Sequence, residues 1–214
     1  MSGIVFHMTQ ATNTPQVRNI TKVMREIISS DDVSVSLGMT WYNRARAHAA
    51  LLDPNDVSRA AGILAALSPL NSWPQNMRLA SEIYAGKTNL GYLHKNVAKA
   101  LRIYNGEMPL NVLGGNKVRS FYLNIIGDDS LETVTVDRHA VDIACGRVCD
   151  DKVRSHWTSG KRYWFVAGMY VRAAKIINAE FGTAFTGAQI QAITWVWWRK
   201  NKAAANHGGD DFGA

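Results

Sequence analysis

One stretch constrains the fold more than any other. Residues Val57 to Leu67 are Ala-rich and carry no charge beyond Arg59. Ahead of them stands Asp53-Pro54-Asn55-Asp56, with an Asp to cap a helix, Pro at its first position and an acid at its third. Behind them stands Ser68-Pro69, and a proline disfavours the helical conformation in the residue before it. A helix that is apolar on all sides is buried against other helices. The rest of the chain must supply them.

It does so repeatedly. Thr14-Pro15 opens a helix whose apolar positions Val17, Ile20, Val23, Met24, Ile27 and Ile28 keep helical spacing. Asp31 or Asp32 caps a second, running through Trp41 and Tyr42 to Leu52. Further helices are expected from about Pro74 to Ala85 and from Leu93 to Tyr104, stopped by Gly86 and Gly106. Lys95, Lys99 and Arg102 give the latter one basic face. Asp150 to Ser159 reads as a polar loop, and Gly160 to Phe181 as a long helix closed by Gly182. Thr186-Gly187-Ala188-Gln189 is a capping box that opens a last helix through Trp195, Trp197 and Trp198. Three tryptophans so close cannot share one helical face, so at least one is partly exposed or covers a second lobe. Only Thr133 to Val136 reads as extended. The chain is therefore expected to be all-α, with about nine or ten helices by apolar spacing.

The chemistry-bearing stretch runs from Val112 to Ala144. Gly114-Gly115 forms a hairpin ahead of a helix that carries Lys117 and Arg119 in its first turn. Paired glycines can bring bare backbone N–H groups close to a ligand. With a helix N-terminus behind them, such groups suit a phosphate. Val136-Asp137-Arg138-His139 then starts a second helix, and the plain reading of Asp137 is its N-cap.

These motifs resemble the helix-hairpin-helix DNA glycosylase superfamily, and its endonuclease III branch most. Val136-Asp137-Arg138-His139 is similar to that branch's Val-Asp-x-His. Gly115-Asn116-Lys117 followed by Tyr122-Leu123-Asn124 is similar to its hairpin and lysine-bearing helix. Gly114-Gly115 stands where the family has Gly-x-Gly, and no proline precedes it. The resemblance implies a two-lobed helical bundle with the active cleft between lobes. One lobe would span about 30–125 and both chain ends would form the other, within one domain at 13–202. Residues 1–12 are expected to be flexible, and 203–214 a disordered tail. By the same resemblance Asp137 is the essential acid and Lys117 the amine nucleophile, with Gly114, Gly115, Asn116 and Arg119 on DNA. His139, two residues past Asp137, is expected to pack or cap.

A second resemblance lies after the apolar helix. Relatives in that branch carry there a loop that enters DNA where the target base leaves. Ala66-Leu67-Ser68-Pro69-Leu70-Asn71-Ser72-Trp73 stands in the same place. A base-flipping enzyme must fill the vacated stack and read the extruded base. Leu70 is a candidate wedge, Trp73 a stacking face or a core residue, and Asn71 or Asn76 an edge reader. Gln191, Trp195 and Arg199, at four-residue spacing, either line a base pocket or clamp the core.

Composition narrows the partners. The 214 residues carry a net charge of +7, which favours a polyanion such as double-stranded DNA. No apolar run is long enough to span a membrane, and the N-terminus does not read as a signal peptide. A cytoplasmic monomer without a cofactor is expected. Cys145 and Cys149 are too few for a Cys-only zinc or iron–sulfur site, so buried thiols on the helix after Asp137 are expected and no metal. Three functions stay open: a glycosylase/lyase; a transferase joining an amine or amino acid to an activated 5-hydroxymethyluracil-type base, as in a phage-encoded branch of the superfamily; and a non-catalytic DNA-binding protein.

Overall fold

A computed structural model describes residues 13–127 and 133–203. The regular elements among them are all helical: α1 (Val17–Ser29), α2 (Ser34–Met39), α3 (Trp41–Leu52), α4 (Val57–Leu67), α5 (Trp73–Tyr84), α6 (His94–Tyr104), α7 (Pro109–Val112), α8 (Asn116–Ile126), α9 (Arg138–Cys145), α10 (Asp151–Trp157), α11 (Gly160–Phe181) and α12 (Gly187–Trp198), followed by a π-helical turn, Arg199–Ala203. The flexible N-terminus expected over 1–12 lies outside the described residues. So does the tail expected over 203–214, apart from Ala203, which ends the π-helical turn.

The apolar side chains form two cores. One is built from α1, α9, α11 and most of α12, with Val134 and Val136. The other surrounds α4, whose residues from Ala60 to Leu67 are all buried, and draws on α3, α5, α6 and α8. The charge-free stretch of α4 past Arg59 is thus buried on every face. α12 serves both cores: Ile190, Ile193, Trp197 and Trp198 enter the first, while Ala192 enters the second with Trp195 and Val196 packed beside it. The three tryptophans divide between the cores, Trp195 remaining partly exposed. Against α12 lies α2, so close that a Cβ on Gly38 would sit 2.3 Å from the Cα of Ile193.

Several local expectations need correction. Asp53 does not cap α4; Asp56 does, accepting from the Arg59 amide at 2.8 Å. Asp53 is instead buried, held by Arg59 Nε at 2.7 Å and the Tyr84 hydroxyl at 3.0 Å. Burial pushes its carboxyl up, but these hydrogen bonds outweigh burial and leave it below its ordinary value. The helix expected to run unbroken to Leu52 divides at Thr40 into α2 and α3. α1 starts at Val17 with Gln16 at its cap, later than Thr14-Pro15 suggests. The loop expected after Asp150 is a helix, α10, with Asp150 capping it through Val153 N at 2.9 Å. Cys149 lies beyond α9, because Gly146 turns left-handed (φ 73°) and ends that helix. Both thiols are free and buried, and burial pushes Cys145 up to about 12.

Residues Thr133 to Val136 belong to no helix, and the Tyr163 hydroxyl from α11 holds them. It donates to Val134 O at 2.8 Å and accepts from Val136 N–H at 3.1 Å. This clamp fixes the chain immediately before Asp137.

Candidate functional site

A cleft of about 510 Å³ opens between segments of both cores. Its lining includes Leu70, Asn71, Trp73, Asn76, Lys117, Asp137, Gln191, Trp195 and Arg199, brought from four separate parts of the chain. The volume falls in the range of small-molecule sites, roughly 300–1,000 Å³.

Asp137 stands at one side. Its backbone is extended (φ −104°, ψ −174°) and its Oδ1 caps α9, accepting from Ala140 N at 2.8 Å. Its Oδ2 accepts from the Trp195 indole N–H at 3.0 Å. The N-cap reading therefore holds and does not exhaust the residue. A carboxylate has about four acceptor sites, so capacity remains toward the cleft. Trp195 in turn carries the Arg199 guanidinium 5.0 Å from its ring centroid, a cation–π contact. One turn earlier, Gln191 Oε1 accepts from the Tyr42 hydroxyl at 3.0 Å. Burial raises Tyr42 well above the ordinary tyrosine range, which keeps it a donor. The four-residue spacing on the last helix thus translates into one wall.

Lys117 enters from the first turn of α8. No ion pair joins it to Asp137 among the described residues, although both line the cleft. The floor is aromatic. Trp41 lies 5.4 Å from Trp73, 5.6 Å from Phe121 and 6.2 Å from Trp195, centroid to centroid.

The loop after α4 forms the rim. Leu70 is 89% exposed and held at φ +59°, a conformation rare for a residue with a Cβ. Asn71 and Asn76 donate their amide N–H groups to the last carbonyls of α4, Leu67 O at 3.1 Å and Leu64 O at 3.0 Å. Helix C-termini leave such carbonyls without intrahelical partners. Their Oδ1 atoms are each buried without a partner among the described residues. Trp73 is 8% exposed and packs in the second core, so it meets the cleft at its margin and is no open stacking face.

The hairpin residues lie elsewhere. Gly114, Gly115, Asn116 and Arg119 are not among the residues that line the cleft. Gly115 precedes α8 at φ +79°, where a side chain would be strained. Lys99 of α6 brings its ammonium to Gly114, 3.6 Å from where a Cβ would stand. Asn116 reaches across to Gly160 O at 3.3 Å. Arg102, expected on the same basic face as Lys99, is paired with Glu107.

Sequence reasoning passed over two polar groups on the wall, Thr135 and Arg138, and kept a third, His139, out of the cleft. Thr135 Oγ1 accepts from Asn124 Nδ2 at 2.9 Å. His139 is not merely a packing residue. It lines the cleft, largely buried, with Nδ1 3.9 Å from Asp142 Oδ2. Burial, partly offset by Asp137, holds its imidazole below the ordinary value. Asp142 is fully buried and fastened by Arg154 at 2.8 Å and by the Cys149 amide at 2.9 Å. The i, i+3 step from His139 to Asp142 was the available signal. No group of three or more His, Cys, Asp or Glu suited to a metal occurs among the described residues. No helix among them is long and apolar enough to cross a membrane.

Comparison with known proteins adds a grouping without an activity. No curated protein and no solved structure matches the chain. One family model does, over residues 4–202, nearly the whole length. The chain belongs to that family, a family of unknown function (DUF7178).

Proposed function

We propose that this protein is an enzyme acting on DNA bases, on a scaffold of the helix-hairpin-helix glycosylase type. A base flipped from duplex DNA enters the cleft, and its glycosidic bond is cleaved at C1′. The observation that carries this reading is that Lys117 and Asp137, separate in sequence, line one cleft with an aromatic floor. Leu70, exposed and conformationally restrained at the rim, suits a wedge that fills the vacated stack.

The residues divide the work as follows. The Asp137 carboxylate stabilises the positive charge that develops on the sugar as the bond to the base loosens. The Lys117 amine attacks C1′: an Nζ–C1′ bond forms, and the base departs with the electron pair of the broken bond. The proton lost by Nζ leaves with the base or to solvent, and sugar-ring opening yields an imine. Trp195, through its bond to Oδ2, orients the carboxylate. The net charge of +7 and the lysine beside the hairpin supply the sequence-independent grip on phosphate.

A second reading is transfer of an amine or amino acid to an activated 5-hydroxymethyluracil-type base. Arg138 favours it. Its exposed guanidinium lines the cleft next to Asp137 and suits a substrate carboxylate, for which a lyase has no use.

One experiment separates the readings. The protein is incubated with DNA containing ordinary, damaged, 5-hydroxymethylated and activated 5-hydroxymethylated bases, once with borohydride and once with free amines and amino acids, whose nitrogen would displace the activating group, beside a Lys117→Gln variant. A trapped covalent complex that the variant loses supports the lyase. A mass gain on the base with an intact glycosidic bond supports the transferase. DNA binding with neither product sinks both and leaves a binding protein.

A further inference from the structure

The outward face of α11 is not used by the cleft. From Gly160 to Ala179 the helix contains no acidic residue, while Lys161, Arg162, Arg172 and Lys175 are exposed on it. None of the four forms an ion pair among the described residues. Trp164 and Phe165 are each 53% exposed between the two pairs of cations, Phe165 with one face stacked on Trp157 and the other side open. Spacing puts most of these on one side: Lys161, Trp164, Phe165, Gly168, Arg172 and Lys175 follow steps of three or four residues. At Gly168 an added Cβ would meet nothing within 4 Å, so the stripe has an open notch past the aromatic pair. The opposite side of the helix, with Tyr163, Val166, Tyr170 and Ile177, is fully committed to the first core.

We infer that this stripe binds a single strand of nucleic acid. Exposed aromatic faces flanked by cations are the chemistry that holds unpaired bases without sequence preference: bases stack on the rings and phosphates meet the cations. A duplex offers no free base faces, and an acidic protein would not need two adjacent exposed rings. The stripe extends about 21 Å from Lys161 to Lys175, at a rise of about 1.5 Å per residue. The first residue of α11, Gly160, accepts from Asn116 of the hairpin turn. An unpaired segment on α11 would therefore continue from DNA seated on the hairpin. The inference rests on the nucleic-acid part of the proposed function and not on the chemistry in the cleft.

The test is fluorescence anisotropy with three labelled probes: an all-thymidine oligonucleotide, a blunt duplex, and that duplex with a thymidine overhang. The full chain is compared with Trp164→Ala/Phe165→Ala and with Arg172→Glu/Lys175→Glu, all at exposed positions. Loss of two stacking rings and reversal of two phosphate-facing cations should each weaken binding to the single strand and the overhang at least about tenfold. Blunt-duplex binding should change by less than about twofold. Equal single-strand affinity in all three proteins overturns the inference while leaving the cleft reading intact. Failure of the unaltered protein to bind any of the probes overturns both. Preferential binding to phosphatidylserine vesicles, lost in the variants, would make the stripe a membrane-surface site and overturn the inference as well.

Discussion

Asp137 holds two donors with two oxygens, which makes Asp137→Asn less innocent than a charge-only change. Asn and Asp cap helices about equally well. An asparagine at 137 has only one acceptor atom, however, and both Ala140 N–H and the Trp195 indole N–H need one. Whichever keeps the oxygen, the other faces an amide NH2. The cost comprises a hydrogen bond to a charged group, about 1.5–3 kcal/mol, and the helix-terminus charge, about 0.3–1 kcal/mol. We expect Asp137→Asn to lose ~2–4 kcal/mol. At ~2–4 °C per kcal/mol for a chain of this size, Tm falls by ~4–16 °C. Trp195→Phe removes the same bond from the other side and should cost ~1–2 kcal/mol, since the freed oxygen can meet water. The double variant should be more stable than the sum of the singles implies by ~1–2 kcal/mol, because the phenyl ring removes the donor that asparagine cannot satisfy. Urea denaturation of the four proteins measures this coupling. Strict additivity would refute the carboxylate–indole bond as the element that positions Asp137. The double variant then serves the enzymology: a stable protein without the carboxylate should be inactive on every DNA that the parent processes.

Other outcomes follow from the same structure. Leu70→Gly should leave Tm unchanged or raise it slightly, since glycine tolerates φ +59°, yet lower activity on fully paired DNA more than on DNA with an unpaired target base. Comparative rates on the two substrates check this. Gly38→Ala should destabilise by at least ~1–3 kcal/mol in a thermal melt, because the new methyl meets the α12 backbone and not a yielding side chain. For His139, burial lowers the folded value below the unfolded ~6.5, so the unfolded chain takes up the proton first. Stability should fall as pH drops from about 6.5 toward the folded value, and His139→Gln should flatten that slope in urea titrations.

How much was legible varies with what fixes each feature. α11 and α12 were readable end to end, because a left-handed glycine closes one and a reciprocal Thr186–Gln189 box opens the other. These signals act within one turn, so sequence contains them. α10 was missed because it is short, buries no residue fully and shows no apolar period; only the Asp150 cap announced it. The exchange of Asp53 for Asp56 as the α4 cap turns on Arg59 and Tyr84, the latter a partner 31 positions away. In the site, residues on regular elements or next to a marked turn came together at the cleft. The hairpin glycines and Arg119 did not, although Lys117 is their neighbour, because α8 turns one face to the cleft and another away. Tyr42 was legible only as a position on the second expected helix. Its bond to Gln191 spans 149 positions and is set by how α3 meets α12. No local pattern encodes such a meeting.

The sharing of α12 between two cores also has a meaning in time. A chain is made from its N-terminus at about 5–20 residues per second, and its parts begin to fold as they emerge. Of the twelve described helices, α12 leaves the ribosome last. Until it does, α2 lacks the helix it packs on most, both cores have an open side, and no indole holds Asp137. Lys117 and the rim loop emerge earlier, but they face an unfinished wall. A growing polypeptide of this kind has no finished cleft, and whatever the cleft binds can be held only when synthesis of the last wall is complete.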